Sequence, residues 1–474
     1  MPVDSVHPHY ALYAPAWQMI RDAVDGELIV KNRGTTYLPM LEPEDYQDYL
    51  INARFYNATG RTIQGLLGAA FRVPPMAEVP VAMEPWLLDV SLSEVPLEAF
   101  IKKDVEDKLQ TGRYGIRVDM REGGGRPYLV SYTAENISYW REGVVNGRRI
   151  LTTVRLKEIE FAPGKDEFEV EKKDVFHVLD LEQGFCRLRI FRQVDTGNNR
   201  MEWIGELQPP PTRMGQRLTF IPFVFDGVSE STPDCEKPPL LDLVTVNYGH
   251  YRLTADYYDA MRFTSKPQPW VSGLTDSDTK MRIGSRYAWT LPAGAQTGYL
   301  EYSGAGIADI RQALNDDESR MARLGAAVLE EPKEGVESAE TASINQSGKT
   351  SLLASITGTT GHAMSKALRI MAWWGGLTNN VEDESINLTM NSDFIEARMS
   401  ASELEALVRS WQARGISRDT LTYNIKRGGL LPDERTIEDE HALIDAEEPP
   451  MPQGQPENLD EEEAEEEIEE EEAA

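Results

Sequence analysis

The residues able to do chemistry in this chain are few, and their spacing is poor for catalysis. Histidine occurs only at His7, His9, His177, His250, His362 and His441. Only His7 and His9 are close enough in sequence to share a metal, and they fall in a terminal stretch expected to be mobile. Cys186 and Cys235 cannot make a disulfide framework and have no metal-ligand spacing, so two reduced, semi-buried thiols are expected. The run SGKTS at 347–351 imitates the end of a phosphate-binding loop. Such a loop needs glycine where this chain has Ser343, and it needs a strand before it, whereas the flanks here read as helical. No G-x-S-x-G elbow or H-E-x-x-H pair occurs. The acidic clusters Asp316-Asp317-Glu318 and Asp276/Asp278 could hold Mg²⁺ or act as paired carboxylates, but solvated helix and turn faces look the same. The expectation is a protein that is not an enzyme, with no cofactor and no metal. A metal-dependent nuclease or hydrolase using the acidic clusters is the catalytic alternative.

Composition narrows the partners. The chain has 474 residues, 41% of them hydrophobic, enough for about two to four compact units. Its net charge is −31, and the residues from Glu447 onward hold 14 acidic and no basic side chains, leaving −17 for the rest. Residues 447–474 read as a disordered, solvated acidic tail. A body that remains acidic should not grip nucleic acid through counterion release. The opening MPVDSVHPHY has no secretory signal pattern, and no stretch approaches the ~18 apolar residues of a membrane span, so an intracellular protein without a membrane partner is expected.

The elements that must position any site fall into an α+β order. Apolar residues from Tyr46 to Leu67 recur at helical spacing, interrupted at Asn57-Ala-Thr-Gly60 and stopped at Pro74-Pro75, and Leu97–Gln110 repeats the pattern. From Tyr114 to Phe225 the period becomes two. The runs 128–132, 149–161, 175–181, 185–194 and 201–207 are separated by Gly, Asn and Pro turns, as in an antiparallel meander. Leu240, Val244, Tyr248, Tyr251, Ala255 and Tyr258 then mark a helix of about 35 Å. An aromatic, Gly/Pro-rich insert follows, then a helix along Ile307, Leu314, Met321 and Val328, then a long helix from Glu340 to Trp374. A strand is predicted within 386–394, a helix over 400–415 with Ser400 or Ser402 as N-cap, and a short helical pair after it.

In this order the sequence resembles the portal proteins of tailed bacteriophages, the head–tail connector rings at the capsid vertex. The resemblance is carried by RFYNATGRTIQGLLGAAFRVPP (54–75), ISYWR (137–141), NYGHYRLTADYYDA (247–260), YAWTLPAGAQTGYLEYSGAGI (287–307), MARLGAAVLE (321–330) and SAETA (338–342), spread over about residues 10–445. It implies a portal-like α+β fold. Residues 1–237 would be a wing of N-terminal helices and antiparallel sheet. Paired stem helices at 238–263 and 307–330 would flank a small β-containing clip at 264–306. A tunnel loop would follow at 331–339, a long helix and return strand of the wing at 340–399, and a helical C-terminal crown at 400–446.

The resemblance also implies a role and partners. A homo-oligomeric ring of about twelve copies would pass dsDNA during packaging and ejection. It would dock the terminase large subunit, head–tail adaptor proteins, and the major capsid and scaffolding proteins. Its place would be the virion, with the host cytoplasm as the site of assembly. On this reading Lys333 and Glu334 of the loop, with Arg252, Arg262, Arg311, Arg320 and Arg323 of the stem helices, would face DNA. Helix-surface ion pairing is the other account of the arginines. Trp270, Lys280, Arg282, Arg286, Tyr287 and Trp289 of the clip would meet partners, or the aromatics would form the core of a small domain. A monomeric scaffolding or adaptor protein is the remaining non-catalytic alternative.

Overall fold

The computed structural model describes residues 3–39, 46–121, 125–145, 147–163, 166, 169–196, 201–265, 268–273, 293–300, 305–328, 351–392, 394, 401–427, 431 and 435–446. The chain divides into two units, Met1–Phe394 and Ile395–Ala474.

The first unit opens with α1 (Pro8–Asp25) and α2 (Glu27–Asn32), then α3 (Tyr46–Asn52) and α4 (Ala58–Ala70). His7 is not in a loose end. Its side chain caps α1 by accepting from His9 N at 3.3 Å, and its ring stacks on Trp140 at 3.9 Å. The predicted interruption at Asn57 is a helix start: Asn57 Oδ1 accepts from Gly60 N at 2.8 Å and caps α4. Next come β1 (Met76–Glu78), α5 (Glu84–Leu87) and α6 (Leu97–Thr111). Gly112 ends α6 at φ 76°, and a β-carbon there would press on Glu236 O at 3.3 Å.

The period-two region becomes two antiparallel sheets. β2 (Arg113–Asp119) lies between β3 (Tyr128–Thr133) and the later β11 (Phe223–Gly227). β4 (Ile137–Val145), β5 (Arg148–Pro163), β6 (Val170–Glu182), β7 (Phe185–Asp195) and β8 (Met201–Leu207) form a five-stranded meander in sequence order. Every neighbour is antiparallel, with Val154 opposite Leu179 and Leu179 opposite Leu188. β9 (Thr212–Arg213) and β10 (Gln216–Arg217) pair locally before β11 (Phe223–Gly227) returns to β2.

The helical half comprises α7 (Leu241–Thr264), β12 (Gln268–Ser272), β13 (Gln296–Leu300), α8 (Ala305–Ala326), α9 (Leu352–Trp374) and β14 (Asn387–Thr389), which pairs with β1. Helix α9 starts at Leu352 and not at Glu340, because Ser351 Oγ accepts from Ala354 N at 3.2 Å and forms its N-cap. The predicted tunnel loop 331–339, residues 340–350 and the tail 447–474 lie outside the described residues. The second unit holds α10 (Ala401–Gln412), α11 (Arg418–Arg427) and α12 (Ile437–Ala446). Ser402 lies inside α10, so it is not the N-cap, and Ser400 is outside the described residues.

Two apolar cores hold the first unit. In the larger, α4, α6 and α9 pack with both sheets through residues such as Ile63, Ile101, Ile116, Val154, Phe223 and Leu368. The smaller joins the N-terminal helical region to α7, through Ile20, Tyr37 and Phe55 against Val244, Tyr248 and Tyr251. Cys186 is buried and Cys235 half-buried, both as free thiols, and burial pushes Cys186 up to about 12.

A charged knot lies inside the larger core. Lys108 Nζ is 2.8 Å from Asp226 Oδ1, and both side chains are fully buried. The same ammonium donates to Ile356 O at 2.9 Å and Thr359 Oγ1 at 2.8 Å, so α6, β11 and α9 meet at one cation. Asp104 lies beside them. Burial, then the Asp226 charge, pushes its carboxyl well above the usual carboxylate range. Neither Asp104 oxygen has a hydrogen-bond partner among the described residues, and burial also raises the Asp226 carboxyl, against the pull of Lys108.

Candidate functional site

Helices α7 and α8 with the insert between them are the part of the chain built for reach. Two contacts set their relation. His250 Nε2 is 3.5 Å from Glu318 Oε1, and a β-carbon on Gly325 would lie 3.7 Å from Leu243 Cδ1. As the α7 residue number falls from 250 to 243, the α8 number rises from 318 to 325, so the helices run antiparallel. The strands that leave them are antiparallel too, with Gln268 opposite Leu300 and Trp270 opposite Gly298. The whole is an extended hairpin of helices continued by a hairpin of strands.

The base of this hairpin is tied down by buried polar contacts. Asn247, fully buried, donates Nδ2 to Tyr56 O at 2.8 Å and accepts from Thr59 Oγ1 at 2.9 Å. Tyr248 donates to Met19 O at 3.0 Å, and Thr254 donates to Arg54 O at 2.9 Å. Of the carbonyls so used, Arg54 O and Tyr56 O lie in the connection between α3 and α4, where no helical bond satisfies them and burial would otherwise be costly. His250 is itself buried, and that burial holds its pKa below the ordinary 6.5 against the opposing pull of Glu318 and Asp317.

The five arginines expected along the channel do not gather on one face. Arg252 Nε donates to Tyr37 O at 2.9 Å, and Arg262 pairs with Asp48 at 2.7 Å, so both hold the N-terminal helical region. On α8, Arg311 and Arg320 are separated by two and a half turns and project from opposite sides. Arg323 shares the side of Arg320, which approaches Asp317 at 4.0 Å. Arg311 and Arg323 are exposed and make no ion pair among the described residues. Lys333 and Glu334 lie outside the described residues, as do Lys280, Arg282, Arg286, Tyr287 and Trp289. Trp270 is 43% exposed, with its indole lying over Gly298, where a β-carbon would sit 2.8 Å from Nε1.

The acidic cluster on α8 is not arranged as paired carboxylates. Asp316 and Asp317 are successive helical residues and diverge by about 100°, while Glu318 is turned to His250. Asp276 and Asp278 are outside the described residues. Among the described residues, no group of three His, Cys, Asp or Glu side chains could hold a metal ion. No described helix is long and apolar enough to cross a membrane.

Residues 239–375 match the family described as a domain of unknown function (DUF4055). That span takes in α7, the insert, α8 and α9, ending at Gly375, the C-cap of α9. No curated protein matches the chain. Similar solved structures include the neck of an empty GTA particle computed with C6 symmetry, at 14% identity, 83% of this chain, 95% of that chain and a TM-score of 0.39. The neck of a native GTA particle computed with C12 symmetry gives 13%, 81%, 94% and 0.37. The virion of a native gene transfer agent (GTA) particle gives 13%, 86%, 99% and 0.37. Likeness at those TM-scores carries no assignment.

Sequence reasoning missed the arginines of the five-stranded sheet, Arg141, Arg155 and Arg189. The signal was present in β7, where Arg187, Arg189 and Phe191 occupy alternate positions and so share a face.

Proposed function

We propose that this chain is a phage portal protein, a ring-forming structural subunit through which dsDNA passes and on which the packaging motor and the head–tail adaptors dock. The observation that carries the proposal is the α7–insert–α8 hairpin. Two long antiparallel helices are anchored at one end in the unit's core and capped at the other by paired strands. Copies arranged around an axis would line a channel with the helices and present the strand hairpin at its mouth. The portal-like sequence runs 247–260, 287–307 and 321–330 fall on this same hairpin.

The proposed division keeps residues 1–237 as the wing, α7 and α8 as stem, 264–306 as clip, 331–339 as the loop toward DNA, and 400–446 as crown. Of the described arginines, Arg311 and Arg323 are free to face DNA, whereas Arg252 and Arg262 hold the stem to the N-terminal helical region. Trp270 belongs to the docking surface of the clip. The overall charge of −31 suits a conduit, since a channel that released counterions at every phosphate would retain DNA instead of passing it. ATP hydrolysis would belong to a separate motor, and this ring would do no chemistry.

The test is the state of the purified full-length chain. Negative-stain images with a mass measured in solution should show closed rings of about twelve subunits around an open centre. A monomer or dimer that neither concentration, salt nor co-expressed scaffold converts to rings would contradict the proposal.

A further inference from the structure

The five-stranded sheet has two unlike faces. Trp140, Val154, Leu156, Leu179 and Cys186 turn inward to the core. Alternation then puts Tyr139, Arg141, Arg155, Arg189, Phe191 and Trp203 on the other face, where they line an open cavity of about 680 Å³. Tyr139 is opposite Arg155, Arg155 opposite Val178, and Val178 opposite Arg189, so Arg155 and Arg189 stand in one cross-strand row, while Arg141 is opposite Thr153.

Arg155 forms the floor. It is 4% exposed, its Nε donates to Ser138 Oγ at 2.9 Å, and its guanidinium lies 4.8 Å over the Phe176 ring. Its Nη2 is buried and makes no hydrogen bond among the described residues. An unpaired guanidinium nitrogen at that depth is costly unless an anion completes it. Arg189 adds a second buried, unpartnered donor, Nε, while its Nη2 is held by Asp180 Oδ2 at 2.9 Å. Arg141 at the rim is exposed and donates to Thr153 Oγ1 at 3.3 Å.

A peptide already follows one edge of this cavity. Val3 and Ser5 of the chain's own N-terminal stretch line it, His7 N donates to Ser138 O at 3.0 Å, and the Asp4 charge acts on Arg155. We propose that the cavity binds an acidic peptide segment of a partner protein, with one carboxylate seated on Arg155 between Arg141 and Arg189. Planar guanidinium forks match a carboxylate in shape and charge. Three arginines clustered around one buried guanidinium, on a chain of net charge −31, favour a single carboxylate over a nucleic-acid backbone, which asks for an extended cationic track. The inference does not depend on ring formation.

Fluorescence anisotropy of a labelled Glu/Ala peptide with the full chain tests it, with a Lys/Ala peptide and a DNA oligonucleotide as parallel probes. The acidic peptide should bind, with Trp203 emission changing on binding. R141A should weaken binding about threefold to tenfold and R155Q about tenfold to a hundredfold, as expected for lost charge-assisted hydrogen bonds. The exposed Arg217→Ala should change nothing. If R155Q does not fold by circular dichroism, R141A combined with R189Q decides, with at least the loss of R141A alone. No peptide binding at low salt, binding unmoved by these variants, or arginine-dependent binding of the oligonucleotide in place of the peptide would each overturn the proposal.

Discussion

His250 on α7 and Glu318 on α8 meet at 3.5 Å, and this one pair crosses the two helices on which the proposed function rests. Its two ends differ in setting. The imidazole is 5% exposed at the side chain, while the carboxylate is 49% exposed. An ion pair open to water on one side contributes little, so His250 acts chiefly as a packed, neutral ring beside Tyr56.

That setting fixes a pH dependence. Burial lowers the folded pKa of His250 below 6.5, and Glu318 and Asp317 only partly oppose it. The unfolded chain therefore takes up a proton more readily than the folded one. Stability from this site is present above pH 6.5 and is lost as the pH falls from 6.5 through the lower folded value. Thermal unfolding followed from pH 7.5 to 5 should show a loss on acidification that His250→Asn reduces. Equal slopes for both proteins would remove His250 as the cause.

The buried Lys108–Asp226 pair predicts an asymmetry between two variants. Lys108→Met leaves Asp226 charged and unpaired in the core, and should cost about 3–5 kcal/mol in urea unfolding. Asp104→Asn should be tolerated best at low pH, where the raised folded pKa of the buried carboxyl favours its protonated form. The folded pKa of Asp104 is raised above its unfolded value, so its stabilisation is present at low pH and lost as pH rises through the folded pKa. The Asn variant should therefore gain on the wild type between pH 5 and 8. A D104N protein that loses stability over that range relative to wild type would contradict a protonated Asp104.

Asn57 makes two separable contributions. Its Oδ1 caps α4, and its Nδ2 donates to Val24 O at 3.1 Å. Asn57→Ala loses both and should cost about 1–2 kcal/mol, whereas Asn57→Asp keeps the cap acceptor and should fall between alanine and wild type. Chemical denaturation of the three proteins gives the ranking directly.

The free arginines of α8 separate stability from transport. Arg311→Ala and Arg323→Ala touch no ion pair among the described residues, so unfolding should shift by less than about 0.5 kcal/mol. DNA packaged per particle should nonetheless fall in the double variant. Packaging at the wild-type level would withdraw both residues from the channel.

The legible parts of the fold were those with a strict period. The strands from Tyr128 to Leu207 other than β4 (Ile137–Val145) were found within about five residues, since one sheet face is buried and alternation is enforced at Val154, Leu156 and Leu179. Helices α7 and α8 were found because their apolar stripes run unbroken. Helix α1 was missed: it carries Pro8 at its start and Pro15 within. The strand β11 was not separated from its surroundings, because all five residues of Phe223–Gly227 are buried and no alternation marks them. The start of α9 was placed early because Ser351, a capping residue, sits inside a polar run that continues a helical rhythm. For the site, the stem and insert were legible as an arrangement, but the direction of each arginine was not. Arg252 and Arg262 turn to Tyr37 and Asp48, residues about two hundred positions away in sequence, and only the fold brings them together.

The central claim is that this chain closes into a ring, and imaging of the purified protein with its mass in solution tests it most directly. Closed rings of about twelve copies around an open channel, with a mass to match, are the predicted result. A compact monomer or dimer that stays so across concentration and salt, and with scaffold present, would contradict it.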